Sequence, residues 1–228
     1  MSTAREDLLA AGLAVFDRDV FEGATVAAIR TRARASNGSF FHFFASKKEL
    51  AGTLFLEIIA RYHAAVVVAV DEKSQDAFSS REPVPTPDQV RGGLSLETAS
   101  CDAKQGVARL IRAHLDWVVN NRREARYLFE ISRSEWSEEI RGGQRAQNSR
   151  LAEVIERWRT PLIARGELLP MTPTVFFSQI IGPAQIFCRA WLSGRDRTDP
   201  RDQIDTLIAC ATRAVVAPVT AHAKGETA

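Results

Sequence analysis

Residues 25–50 read TVAAIRTRARASNGSFFHFFASKKEL, and the punctuation inside this stretch decides how the rest of the chain is read. Thr25 is placed to cap a helix whose Val26, Ile29 and Ala33 recur at the spacing of a buried stripe. The pattern breaks at Arg34-Ala35. Ser36 can then cap a second helix carrying Phe40, Phe43 and Phe44. Ser46-Lys47-Lys48-Glu49 forms a capping box, in which the serine oxygen and the glutamate carboxylate satisfy each other's orphan amides and start a third helix. Two helices of roughly two turns with a short connection fit a helix-turn-helix, whose second helix lies in the DNA major groove. The local charge agrees: Arg30, Arg32, Arg34, Lys47 and Lys48 stand against Glu49 alone.

Upstream, Leu8, Leu9, Ala11, Leu13, Val15 and Phe16 predict a helix over 3–17 that packs against the next two. Gly23, at the end of Phe21-Glu22-Gly23, is free to take positive φ and turn the chain. Downstream, Leu50, Leu54, Phe55, Ile58, Ile59, Tyr62 and Val66 carry the third helix on to about residue 70, a rod that leaves the helix-turn-helix and enters the remainder.

On these residues the chain resembles the DNA-binding domain of the TetR family of bacterial regulators. The pieces that carry the resemblance are DLLAAGLAVF, FEGATVAAI and ASNGSFFHFFASKKEL, within residues 5–50, about a fifth of the chain. Ser36, Gly38, Phe44, Lys47 and Leu50 match the family's pattern in register. Asn37 stands where Lys or Arg is usual, Phe41 where Tyr is usual and Phe43 where His is usual. The missing tyrosine hydroxyl removes one phosphate hydrogen bond from the set the resemblance implies.

Phosphate contacts are expected from helix starts and from cationic or hydroxyl side chains: Thr25, Ser36 and Lys47, with Arg34 in the turn. Base edges are expected to meet Asn37, Ser39, Phe41 and His42. Asparagine can pair bidentately with adenine, and an aromatic edge can touch a thymine methyl. Gly38 lets the backbone approach DNA closely, while Phe40 and Phe44 read as core. Arg30 and Arg32 read as solvated surface.

Between Asp71 and Ala103 the periodicity collapses among Pro83, Pro85, Pro87, Gly92 and Gly93, which reads as a flexible surface loop or a cover over a ligand entrance. A short helix near residues 88–97 is an alternative. Helical patterns return at 103–120, 124–133, 136–165, 173–193 and 200–217, separated by Asn120-Asn121, Gly166 and the prolines at 170 and 173. Gly142-Gly143 weakens the start of the third of these, and Pro161 and Pro183 predict kinks. The tail from Thr220 is polar.

The fold class is therefore all-α: a helix-turn-helix domain over 1–50, a linking helix over 46–70, and a larger helical domain over 51–228 with its loop at 71–103. The resemblance implies an effector pocket in the larger domain, and His114, Trp117, Phe129, Trp158, Phe177 and Gln179 are candidates to line it. Each also reads as ordinary packing. The resemblance further implies that the last two helices pair with those of a second copy, through Ile180, Phe187, Trp191, Ile204, Leu207, Ile208 and Ala211. The partners so implied are a double-stranded DNA operator, a small hydrophobic effector and a homodimer mate.

Composition narrows the alternatives. The 228 residues are 45% hydrophobic and 25% charged, an ordinary globular balance, so the net charge of +2 matters less than its local clustering. Cys101, Cys188 and Cys210 are too scattered for a disulfide framework or zinc site, which suits a reducing cytoplasm. His42, His63, His114 and His222 lack metal-ligand spacing, and the chain has no glycine-rich phosphate loop, G-x-S-x-G or H-E-x-x-H. No catalytic residues, metal or cofactor are expected. The longest apolar run, Ala64 to Val70, is far short of a membrane span. The reading is a ligand-responsive transcription regulator, with a helical sensor or enzyme that no longer binds DNA as the alternative.

Overall fold

A computed structural model describes residues 3–70, 96–131 and 138–218. Nine α-helices follow one another in this described part: α1 (Ala4–Gly23), α2 (Val26–Ala33), α3 (Asn37–Phe43), α4 (Lys47–Val68), α5 (Leu96–Asn120), α6 (Arg122–Ile131), α7 (Glu138–Ala164), α8 (Pro173–Leu192) and α9 (Ile204–Val215), the last preceded by a 3₁₀ turn, Pro200–Gln203. Among the described residues extended pairing is limited to one antiparallel bridge, Leu168 with Val216, which pins the α7–α8 connection to the end of α9. The expected all-α class is what is found.

Thr3 caps α1 through a reciprocal box with Glu6. The helix outruns its expected end at residue 17 and reaches Gly23, broken at Val20, whose φ of 53° and ψ of −178° are left-handed for a β-branched residue. Gly23, expected to supply the positive φ, does not; the strain falls three residues earlier. Thr25, Ser36 and Ser46 cap α2, α3 and α4 as their spacing requires. Glu49 reaches one residue further than expected and accepts from the Ala45 amide at 2.6 Å.

α2 ends in a Schellman turn. Ala35 N–H donates to Arg30 O, Arg34 N–H donates to Thr31 O, and Arg34 sits at φ 54° where glycine is the usual occupant. The same closure ends α7, with Gly166 at φ 74°, the cap its position in the sequence suggests.

α1–α3 close on Leu8, Phe16, Ile29, Phe40 and Phe44, all buried. α4 leaves this head and packs against α5, α6 and α7. It is long and apolar enough to cross a membrane by length and composition, yet Leu50, Leu54, Phe55, Ile58, Ile59 and Val66 are buried in the protein core. Gly143 does not interrupt α7, because it faces Leu56 of α4, where a Cβ would lie 2.9 Å from Cδ1. α8 and α9 pack on α5 and on each other.

Two expected boundaries shift. α5 begins at Leu96, inside the segment read as loop; residues 71–95, with most of the alternative short helix, lie outside the described part. The expected start of α7 at Trp136 and the tail from Thr220 lie outside it too. The last helix opens as a 3₁₀ turn on Pro200 before α9 begins at Ile204.

Candidate functional site

The outer face of α3 follows from what its inner face buries. Phe40 and Phe44 fill the head's core, so Phe41 and His42, next along the helix, project outward; Phe41 is 51% exposed. Burial of large aromatics is the norm, and an exposed one beside a polar, basic rim is informative. The basic residues flanking α3 in the chain are Arg32, Arg34 and Lys48, exposed and paired with no carboxylate among the described residues. Gly38 lies on the same face. A Cβ there would meet only Ser36 Oγ, at 3.9 Å, so packing within the chain does not demand glycine. Thr25 and Ser36 spend their hydroxyl oxygens on the amides of Ala28 and Ser39, and their own hydroxyl hydrogens stay available at exposed positions. Ser39 is half-buried.

Two expected contacts change character. Lys47, expected at phosphate, turns inward: Nζ donates to Phe21 O at 2.7 Å and Ala24 O at 2.8 Å, and lies 4.5 Å from the Phe21 ring centroid. A cation beside the closing carbonyls of α1 meets the negative end of that helix's dipole. Asn37, expected to read adenine with both amide atoms, accepts from Arg30 Nη1 at 2.9 Å through Oδ1. Its Nδ2 alone stays outward, a donor for acceptors such as guanine O6 or N7 rather than a bidentate pair.

In the larger part the six residues expected at the pocket separate. His114 and Trp117 of α5 and Phe129 of α6 gather around Tyr62 of α4: the Tyr62 hydroxyl lies 2.9 Å from His114 Nδ1, the Tyr62 and Trp117 rings 5.0 Å apart, and the His114 and Phe129 rings 6.2 Å apart. His114 is fully buried, and burial pulls its pKa down to about 4. Burial, then the Cys188 thiol, push the Tyr62 phenol above its usual range; burial also raises Cys188 to about 12. Trp158 and Phe177 belong to a second aromatic group around Phe176, over which the Arg159 guanidinium lies 5.0 Å from the ring centroid. Gln179 is on the exposed side of α8, away from both groups. Tyr62, Cys188 and the buried Arg159 were not among the candidates. The first two sit inside apolar stripes of their own helices and read as packing; Glu156 three residues before Arg159 is the one local hint of an ion pair, at 2.8 Å.

The first group lies one step from the head. Phe129 shares α6 with Tyr127, whose hydroxyl donates to Ala51 O at 2.7 Å and whose ring lies 5.6 Å from Phe16 of α1. Arg126 and Arg123 of the same helix pair with Asp17 of α1 at 3.0 and 3.7 Å.

Of the residues expected at a dimer face, Ile180 and Ala211 point into the protomer and are buried, because α8 and α9 pack on α5 through them. Phe187, Trp191, Ile204, Leu207 and Ile208 are half-buried. Ile186, 71% exposed, and Val175, 45% exposed, are the most open apolar side chains of α8 and were not anticipated.

Residues 8–54 match the family model of the bacterial regulatory proteins of the tetR family. Among solved structures the chain is similar to one described as a tetR family transcription regulator from Shewanella sp. PV-4, with 21% identity over 95% of this chain and 100% of that one and a TM-score of 0.64. A TetR family transcription regulator from Marinobacter aquaeolei VT8 shares 18% identity over 94% and 96% of the two chains, TM-score 0.65. The transcriptional regulator FadR of Bacillus subtilis, solved in complex with stearoyl-CoA, shares 14% over 90% and 96%, TM-score 0.65. No curated protein matches the sequence. The fold is that of TetR-family transcription regulators: an N-terminal helix-turn-helix domain followed by a larger helical domain.

Proposed function

We infer that this protein is a ligand-responsive transcription regulator, a repressor that leaves its operator when a small, largely apolar effector binds the larger domain. The observation that carries the DNA half of this reading is the outer face of α3. It combines Phe41 and His42 outside the core, Gly38 with no internal reason to be glycine, and the flanking Arg32, Arg34 and Lys48, which meet no carboxylate among the described residues. One such face per protomer calls for a two-fold dimer on a roughly palindromic site. The apolar residues left open on α8 and α9 support a mate there, with 1–50 as the reading head and 51–228 as the sensing and pairing part.

The link between the halves is α6. A ligand against His114 and Phe129 displaces a helix that holds α1 through Asp17 and Phe16 and touches α4 at Ala51, so the head cannot stay indifferent to it. A coupling of about 1–3 kcal/mol changes operator affinity roughly 5–150-fold.

Selection of genomic fragments with the purified protein, followed by salt titration on the best fragment, tests this. A palindromic site is expected whose affinity falls steeply with salt. Arg34→Ala and Lys48→Ala should weaken every sequence alike and each lower the salt slope by about 1, whereas Asn37→Ala and Phe41→Ala should alter the selected sequence. No enrichment over the double variant Arg34→Ala/Lys48→Ala would turn the reading to a helical sensor without DNA.

A further inference from the structure

The protons of the Tyr62–His114 pair can be counted. Tyr62 keeps its hydrogen, and His114, neutral near pH 7, carries one ring N–H. If the imidazole donated from Nδ1, the phenol hydrogen and the Nε2 lone pair would both be buried without partners. If the phenol donates to Nδ1, one group alone is left over, the N–H at Nε2. Each buried orphan is costly, so the arrangement with one orphan prevails over that with two. His114 Nε2 is indeed buried with no hydrogen-bond partner among the described residues.

That N–H is an uncharged donor where α4, α5 and α6 meet, beside the rings of Tyr62 and Phe129, with Trp117 against Tyr62. We propose that His114 Nε2–H is the recognition point for a small ligand with an apolar body and an uncharged oxygen acceptor, a ketone, ester or amide carbonyl, and that Tyr62 holds the imidazole in the donating tautomer. Burial keeps the neighbouring Tyr62 and Cys188 in their neutral forms and also disfavours the charged forms of His63, whose ring lies 5.7 Å from that of Tyr62, and of His114, so a carboxylate there would lose its hydration against neutral groups. An ammonium group would meet another donor. The site therefore selects for acceptors without charge. This deepens the regulator reading and rests on it for the ligand's purpose, though not for its chemistry.

The test uses the full chain, a homologous series of straight-chain methyl ketones from acetone through methyl nonyl ketone, and the carboxylates of matching length, titrated by calorimetry. At least one ketone is expected to saturate the protein and to bind more tightly than its carboxylate. Tyr62→Phe, which keeps the ring and removes the hydroxyl, and His114→Phe, which keeps an aromatic ring and removes both nitrogens, should each weaken it on the order of ten-fold. Absence of ketone binding, a preference for carboxylates, or an unchanged affinity in His114→Phe overturns the proposal. Nitrogen NMR of the unsubstituted protein covers the case of a variant that does not fold: a proton on Nε2 whose signal moves with ketone supports the assignment, and a proton on Nδ1 overturns it. Release from the selected DNA fragment separates the two readings. Ketone binding without release removes the regulator reading and leaves the recognition; release undiminished in His114→Phe removes the recognition and leaves the regulator.

Discussion

Replacing Lys47 by methionine keeps the aliphatic stem and deletes the ammonium, and the structure says what that removes. Two charge-assisted hydrogen bonds, to Phe21 O and Ala24 O, are lost, together with the cation over the Phe21 ring. Bonds of this kind contribute about 1.5–3 kcal/mol each when buried. Lys47 is half-buried and water can reach part of the site, so about 2 kcal/mol for the pair is reasonable, with about 0.5–1 kcal/mol for the ring contact. The sum, about 2–3 kcal/mol, corresponds to a fall in Tm of about 4–12 °C at this chain length. A lysine whose task was to meet phosphate behaves differently: surface substitutions change stability by less than about 0.5 kcal/mol, and the salt slope of DNA binding drops by about 1. Circular-dichroism melts and anisotropy titrations on a selected DNA fragment separate the two. An unchanged melt with a shallower salt slope would refute the inward role of Lys47.

Other perturbations follow from the same geometry. In Gly106→Ala the new Cβ would lie 2.2 Å from Trp158 Cζ2 and 2.9 Å from Cε2, a rigid ring, so urea denaturation should show a loss of about 1–3 kcal/mol. In a Trp158→Leu background the same substitution should cost less than half as much, and equal costs in both backgrounds would place the strain elsewhere. Ile186→Glu, a charge at the most open apolar position of α8, should give monomers in light scattering and remove the dependence of Tm on protein concentration; a persistent dimer moves the interface off this helix. His114 has a folded pKa of about 4 against 6.5 ordinarily, so between those values the unfolded chain binds more protons and stability rises with pH. His114→Phe should flatten that rise between about pH 4 and 6.5. His63, which burial also lowers, should leave a remnant, and an unchanged slope would show that His114 is not held neutral.

What was legible in the sequence was local. The caps at Thr25, Ser36 and Ser46, the break after Asn120 and the left-handed Gly166 are decided by residues within one turn, and periodicity placed the helices between them. Phe40 and Phe44, four residues apart, could be assigned to the core from helical spacing, whereas the outward place of Phe41 was implied by the family register. What local pattern could not supply involves distance. Lys47 meets Phe21 across 26 residues and Tyr62 meets His114 across 52, pairings no local pattern encodes. Ile180 turned inward because α8 is apolar around much of its circumference, so its spacing could not say which side α5 would take; Ala211 of α9 is buried as well. Val20 is different again: nothing in the sequence marks it for a conformation that glycine adopts more readily, and nothing among the described residues explains it.

Gly38 separates the demands of folding from those of binding. Alanine at this helical position has room inside the chain and is favoured over glycine by about 0.5–1 kcal/mol. In a library of variants sorted by protease resistance alone, position 38 should fill with alanine; sorted on capture by operator DNA, it should return to glycine. On the reading proposed above, the two sorted populations would differ most where the protein's own packing has least to say, and that contrast would map the reading surface without a structure of the complex.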